Sequence, residues 1–436
     1  MKFATSESGN EARTGSFIDG RHPLLSRSLA DPDVLANPHA YYHALRIGDP
    51  VHYDARIGMY LVSRYEDLQT ILRDPITFSQ ERGWQQQFAR GYFQEFKEIL
   101  VRSGGGYFPE AILVDPPRHG RVRRLLQNAF TPRRIALLEP RIRAVIGELI
   151  ERVADRGHAD GVNDLAMPMT VAIMCEQLGL DQLDGEKVAR WSRAYTAQVG
   201  GMQDHETMLH NASLVCELQN FIIARVRERQ EARTEDMISD LIYAKLDDEE
   251  AHTLSFGEIV ALARALLVGG NDTTATALSN LMLMLATRPE IAAKLEDNIG
   301  DNRRLGRFIE ELLRIEPPVR CLFRVTTRNV EVGGTLLPEG SYICMLFASG
   351  NDDEAIFRSP REFDMDRPNL GRHISFGAGV HLCVGMTLAR MELKVAAQEI
   401  VTRLKDIRLA VAEVEYVPNI ALLSLKCLPL KFSRRQ

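Results

Sequence analysis

Cysteine is scarce in this chain, and no two of its six cysteines stand close together. Cys175, Cys216, Cys321, Cys344, Cys383 and Cys427 include no C-x-x-C pair, which argues against a disulfide framework or a zinc site. Charge of one sign is also missing: 53 basic residues face 59 acidic ones, a net of -6, so nucleic acid is not an expected partner. Long hydrophobic runs are absent too. The longest, Ile259 to Gly270, is broken by Arg264 and two glycines and is too short to span a bilayer. The opening residues "MKFATSESGNEARTGSFIDG" carry acids and no apolar stretch of signal-peptide length. Residues 1–20 therefore read as a flexible polar tail, and the expectation is a soluble, cytoplasmic protein with no membrane contact. Without internal repeats or a low-complexity linker, residues 21–436 read as a single domain.

The 436 residues are 45% apolar and 26% charged, enough to bury a large core around a sizeable cofactor. Pro50 to Leu72 predicts a hairpin, turning at "RIG", that runs into a helix. From about Asp115 to Leu313 the apolar spacing is mostly helical. Strand-like patterns return in "VEVGGTLLPEGSYICMLF" and "IALLSLKCLPLKF". The expected class is mainly α with small β-sheets (α+β). Gly83 to Val114, rich in Phe, Tyr and Gly, reads as a long irregular connection: either a lid or binding loop, or a surface insertion with a helix of its own.

Four stretches carry possible chemistry. In "FGAGVHLCVG", Cys383 stands just ahead of a strongly helical pattern, where backbone N–H groups favour a thiolate. Gly377, Gly379 and Gly385 allow tight bends and the close approach of a flat group. Phe376 is placed to cover the sulfur, and His381 to reach an anionic edge. A lone cysteine ligand suggests haem; a structural cysteine in a Gly-rich turn is the plainer alternative. In "LLVGGNDTTATALSNLMLML", Gly269 and Gly270 sit mid-helix at about 1 kcal/mol each relative to alanine. Asp272 and Thr273 follow, an acid and an alcohol suited to proton transfer; a kinked core helix whose Thr bonds back one turn accounts for the same residues. Glu311 and Arg314 in "EELLR" fall on one helix face and by themselves say little. In "DPPRHGRVRRLLQNAFTPRR", Asp115 is expected to cap a helix starting at Pro116. His119 and Arg123, four apart, could hold one anion. Arg118, Arg121, Arg124, Arg133 and Arg134 suggest either a docking patch for an acidic protein or a solvated helix.

Together these stretches resemble the cytochrome P-450 family of haem-thiolate monooxygenases, in its soluble bacterial form. FGAGVHLCVG fills each fixed position of F-x-x-G-x-H-x-C-x-G, GGNDTT is similar to the oxygen-activation segment, and ELLR to E-x-x-R. Arg367 in "FDMDRPN" stands where that family's third partner to the Glu and Arg is found. The likeness runs from about residue 35 to the end. It implies a helix-rich triangular prism holding haem b between two long helices, with Cys383 as iron ligand. It also implies that His119, Arg123, Arg324 and His381 hold the propionates, and that Asp272 and Thr273 deliver protons beside Gly269 and Gly270. Glu311, Arg314 and Arg367 would form a buried structural network.

The implied reaction inserts one oxygen atom of dioxygen into a hydrophobic small molecule, such as a terpenoid, steroid or aromatic compound. Electrons would come from a separate acidic ferredoxin with its reductase. Residues 83–114 and 191–209, with Leu266, Gly269 and Val319, would line the pocket. A peroxide-driven peroxygenase or an isomerase is the alternative within the family, and a non-catalytic haem-binding sensor the alternative outside it.

Overall fold

In the computed structural model, which describes residues 2–4, 22–89, 92–127, 131–180, 184–200, 202–246 and 253–435, the hairpin read from Pro50 onward is present. Val51–Asp54 pairs antiparallel with Met59–Val62, and Gly58 takes the positive φ of 59° that the turn between them requires. The chain then enters α1 (Tyr65–Arg73), whose apolar face is buried at Tyr65, Leu68, Ile71 and Leu72. Met59–Val62 also pairs with Tyr342–Leu346, which carries Cys321–Thr326 and finally the short edge Phe78–Ser79. This five-stranded sheet is the largest among the described residues.

The stretch 83–114 is not irregular. It holds most of α2 (Gln80–Ala89) and all of α3 (Phe93–Ser103). Phe96 and Leu100, one turn apart, bury a stripe that packs α3 against a later helix, so of the two readings the insertion with a helix of its own is the one present. The following α4 (Arg118–Gln127) starts at Arg118, not at Pro116. Asp115 does not cap it. Its carboxylate instead accepts the N–H groups of Gln80, at 2.9 Å, and Glu81 together with the Ser79 hydroxyl, so it caps α2, 35 residues away in sequence.

Next come α5 (Glu139–Ala154), α6 (Met167–Gln177), α7 (Gly185–Gly200) and α8 (His205–Glu231). The last three pack around α9 (Phe256–Thr287), which opens on a full capping box between Ser255 and Glu258. This helix is buried nearly all round, as expected of one packed on several sides by α6, α7 and α8. After α10 (Asn302–Ile315), α11 (Met386–Arg403) packs on α5 and α9. One contiguous apolar core runs through these helices, with smaller clusters beside the sheet. No helix among the described residues is long and apolar enough to cross a membrane.

Of the C-terminal run "IALLSLKCLPLKF", only the end lies in a regular strand, Pro429–Arg434; the rest makes isolated bridges such as Val319 to Leu422. In the expected tail, residues 1 and 5–20 lie outside the described residues, and Lys2–Ala4 pairs with Glu413–Glu415.

Candidate active site

Between α9 and α11 lies a cavity whose floor is the Cys383 loop. The loop closes on itself: the Cys383 N–H donates to the Phe376 carbonyl at 3.0 Å. Gly379 has φ 69°, and a Cβ there would sit 2.4 Å from the Leu72 carbonyl oxygen, so only glycine fits. The Cys383 sulfur opens onto the cavity, which Phe376, Gly377, His381 and Gly385 also line. Burial pushes the thiol upward, while the N–H groups of Gly385 and Met386 and the guanidiniums of Arg123 and Arg390 pull the other way. The balance is upward. The helix end alone therefore does not ionise the sulfur as expected; a bound metal cation would.

Beside the sulfur, four basic groups crowd together. The rings of His119 and His381 are 4.1 Å apart between centroids, and Arg123 donates to the Leu382 carbonyl at 2.6 Å. Burial with cationic neighbours pushes His381 down to about 3, and burial pulls Arg324 down to about 10. Nε2 of each histidine and Nε of Arg324 are buried without a hydrogen-bond partner. An anion with several oxygens is what such a group lacks, and the two propionates of haem match it in charge and reach. The residues present fit the cofactor.

On the roof, Gly269 leaves open space where a Cβ would stand, whereas a Cβ at Gly270 would collide with the Met174 side chain from α6. The hydroxyl of Thr273 donates back to the Gly269 carbonyl at 2.6 Å and lines the cavity. Asp272 does not join it. Neighbouring residues on a helix point about 100° apart, and the Asp272 carboxylate accepts from Thr196 of α7 and lines a second cavity with Arg193, Asp204 and Thr207. Burial pushes this carboxyl up to about 6, and its Oδ1 has no partner.

Leu266 and Val319 line the haem-side cavity as expected. Among the described residues, the 83–114 stretch contributes only Leu113, and 191–209 contributes nothing; its Arg193, Thr196 and Met202 face the second cavity. Sequence reasoning missed Gln80, Met174, Ala265 and Phe347 on the cavity wall, which no motif marks. It also missed Glu392 of α11, a fully buried carboxyl hydrogen-bonded with Thr274 and pushed up to about 8 by burial.

Glu311 and Arg314 are both fully buried and joined by bonds of 2.8 and 2.9 Å; Arg367 reaches the same carboxylate at 3.3 Å. The arginines read as either a docking patch or a solvated helix are not all exposed. Arg121 is bound to Glu258 and the Thr253 carbonyl, and Arg134 to Asp240, so both serve packing. Arg118, Arg124 and Arg133 are exposed.

Residues 202–406 match the cytochrome P-450 family model. The cyclomarin C epoxidase CymV of Salinispora arenicola is 34% identical over 386 residues, 88% of this chain and 93% of that protein. The chain belongs to the cytochrome P-450 family. The erythromycin C-12 hydroxylase of Saccharopolyspora erythraea is 35% identical across 86% of this P-450 and 88% of its own length. A solved P-450 from Chondromyces apiculatus superposes with a TM-score of 0.81 at 32% identity, covering 94% of this chain and 98% of that one. As a member, this P-450 is a haem-thiolate monooxygenase that uses dioxygen on a hydrophobic substrate, with Cys383 as the thiolate.

Proposed function

We propose that this P-450 oxidises an apolar small molecule of terpenoid, steroid or aromatic type, taking electrons from a separate acidic ferredoxin and its reductase. The observation that carries the reading is the cavity itself. Leu266, Ala265, Val319, Leu322 and Phe347 surround the space above Cys383, and Thr273 offers a hydroxyl there. Such a wall binds by excluding water and gives a polar ligand little to pair with. Relatives named as an epoxidase and a hydroxylase support oxygen transfer to either a C=C or a C–H bond.

Haem, when bound, supplies the iron that activates dioxygen. The chain does the rest. His119, Arg123, Arg324 and His381 would hold the propionates of the bound haem. Gly269 leaves room for a diatomic gas. Thr273 presents its hydroxyl to that space. Asp272, on the outer side of the same turn, is held near neutrality by burial and can pick up and release a proton around pH 6.

Titrating the ferric protein with a chemically diverse panel tests the pocket: apolar compounds should shift the iron's spin state, and a response confined to polar ones overturns the reading. Thr273→Ala should keep consuming reducing equivalents while releasing hydrogen peroxide in place of product. A peroxygenase or isomerase would turn over without the partner, and a sensor would show no turnover to uncouple.

A further inference from the structure

Gln80, the first residue of α2, belongs to no motif and has no role assigned above beyond its place on the cavity wall. It is only 7% exposed, yet its side chain lines the haem-side cavity together with those of Arg324 and His381. Its Oε1 is buried without a hydrogen-bond partner, as is Nε of Arg324. A buried amide left unpaired costs free energy, which a bound ligand can recover.

The surrounding backbone fixes where this amide stands. Phe78 and Ser79 pair antiparallel with Thr326 and Val325, so the next step in that register sets Gln80 opposite Arg324. Residues opposite each other in such a pair share one face of the sheet. The close approach continues into α2, where a Cβ at Gly83 would lie 2.8 Å from the Arg324 Cα. On the other side, the Gln80 N–H donates to Asp115 Oδ1 at 2.9 Å, and the Asp115 carbonyl accepts the His119 N–H at 3.1 Å. Asp115 thus ties Gln80 to the first turn of α4, the helix that carries His119 and Arg123.

Charge selects the chemistry of the ligand. The guanidiniums of Arg123 and Arg324 already match the charges of two propionates. A neutral amide adds a donor for the remaining lone pairs, and no further charge that would need its own partner. An amide can also turn either end toward a ligand, since it carries a donor and an acceptor.

We propose that Gln80 is a cofactor-binding residue whose amide NH2 donates to a haem propionate beside Arg324. The inference rests on the reading that His119, Arg123, Arg324 and His381 hold the propionates. It concerns retention of the cofactor, not oxygen activation or substrate choice.

The test follows haem transfer from the ferric, substrate-free holoenzyme to excess apomyoglobin. Gln80→Leu keeps much of the side-chain volume and removes the donor. It should lose haem about tenfold faster, as expected for one lost hydrogen bond to a charged group. Its propionate bending band in the resonance Raman spectrum should move to lower frequency while the iron–sulfur stretch stays. When parent and variant are reconstituted with the dimethyl ester of haem, the difference in rate should shrink, because an ester oxygen is the weaker acceptor. Equal acceleration with haem and with its ester makes Gln80 a packing residue and overturns the proposal. Haem loss at the parent rate with an unmoved band also overturns it. If Gln80→Leu yields no holoprotein, Gln80→Glu decides. That variant keeps the shape but sets a carboxylate against the propionate, so it should lose haem faster than the parent at pH 8; loss at the parent rate there sinks the idea. Failure of the underlying reading is seen separately, because the parent itself would then release haem and its ester at the same rate.

Discussion

Glu392 illustrates how far burial can move a single group. Held at about 8 against an ordinary carboxylate value of 4.5, it keeps its proton at neutral pH inside α11. Below pH 4.5 both folded and unfolded chains carry that proton, and it has no effect on stability. Between pH 4.5 and 8 the unfolded chain releases it while the native one must retain it, so stability falls as pH rises. Glu392→Gln removes that slope. The variant should gain up to about 3 kcal/mol near pH 7 and little at pH 5, read as urea midpoints of the two proteins at each pH. An equal gain at both values would point to packing instead. Asp272, moved less far, gives a functional counterpart. Asp272→Asn should slow product formation about 10²-fold or more, in the range expected for loss of a proton donor, and should abolish any pH dependence of the rate centred near 6. Product formation followed from pH 5 to 8 checks it.

At the scale of elements, one buried network ties the roof together. Arg264 of α9, only 2% exposed, binds Glu110, the Gln219 side chain of α8 and the Phe108 carbonyl, the last at 2.8 Å. Tyr195 of α7 bonds the same Glu110, and Gln219 also holds the Gly106 carbonyl at 2.6 Å. Three helices and the segment 104–110 thus share one set of charges. Glu110→Ala strands a buried guanidinium and should cost about 3–5 kcal/mol. The double variant with Arg264→Met should recover most of that loss. Denaturant unfolding of the single and double variants distinguishes this from a simple cavity effect, in which the second change would add to the first.

For the molecule as a whole, the side that bears Cys383 has fewer available cations than its arginine count suggests. Arg121 and Arg134 are bound into the packing of α9 and the Met237–Tyr243 helix. Charge reversal at Arg121 is therefore a poor probe of docking, because it breaks the link to Glu258. Arg133→Glu, on an exposed side chain, should slow electron transfer from an acidic ferredoxin at low salt and leave substrate affinity unchanged; the difference should fade as salt rises. Equal losses in both quantities would remove the docking assignment.

Local spacing was enough to read the long α9 and the tight glycine turns around Cys383, because each depends on neighbours within a turn or two; the roles of Cys383 and of the 311/314 pair came only from the four motifs taken together. It was enough, too, for the α+β class and for the hairpin at residues 51–62. Tertiary structure decided the rest. Asp115 caps α2 and not the helix that follows it, since a carboxylate serves whichever N–H groups the fold brings near. Asp272 and Thr273, adjacent in sequence, serve different cavities because a helix turns them about 100° apart. Glu392 and Arg264 carry no motif. Their environments come from helices far apart in the chain, and a charge acquires its cost and its use only from what surrounds it.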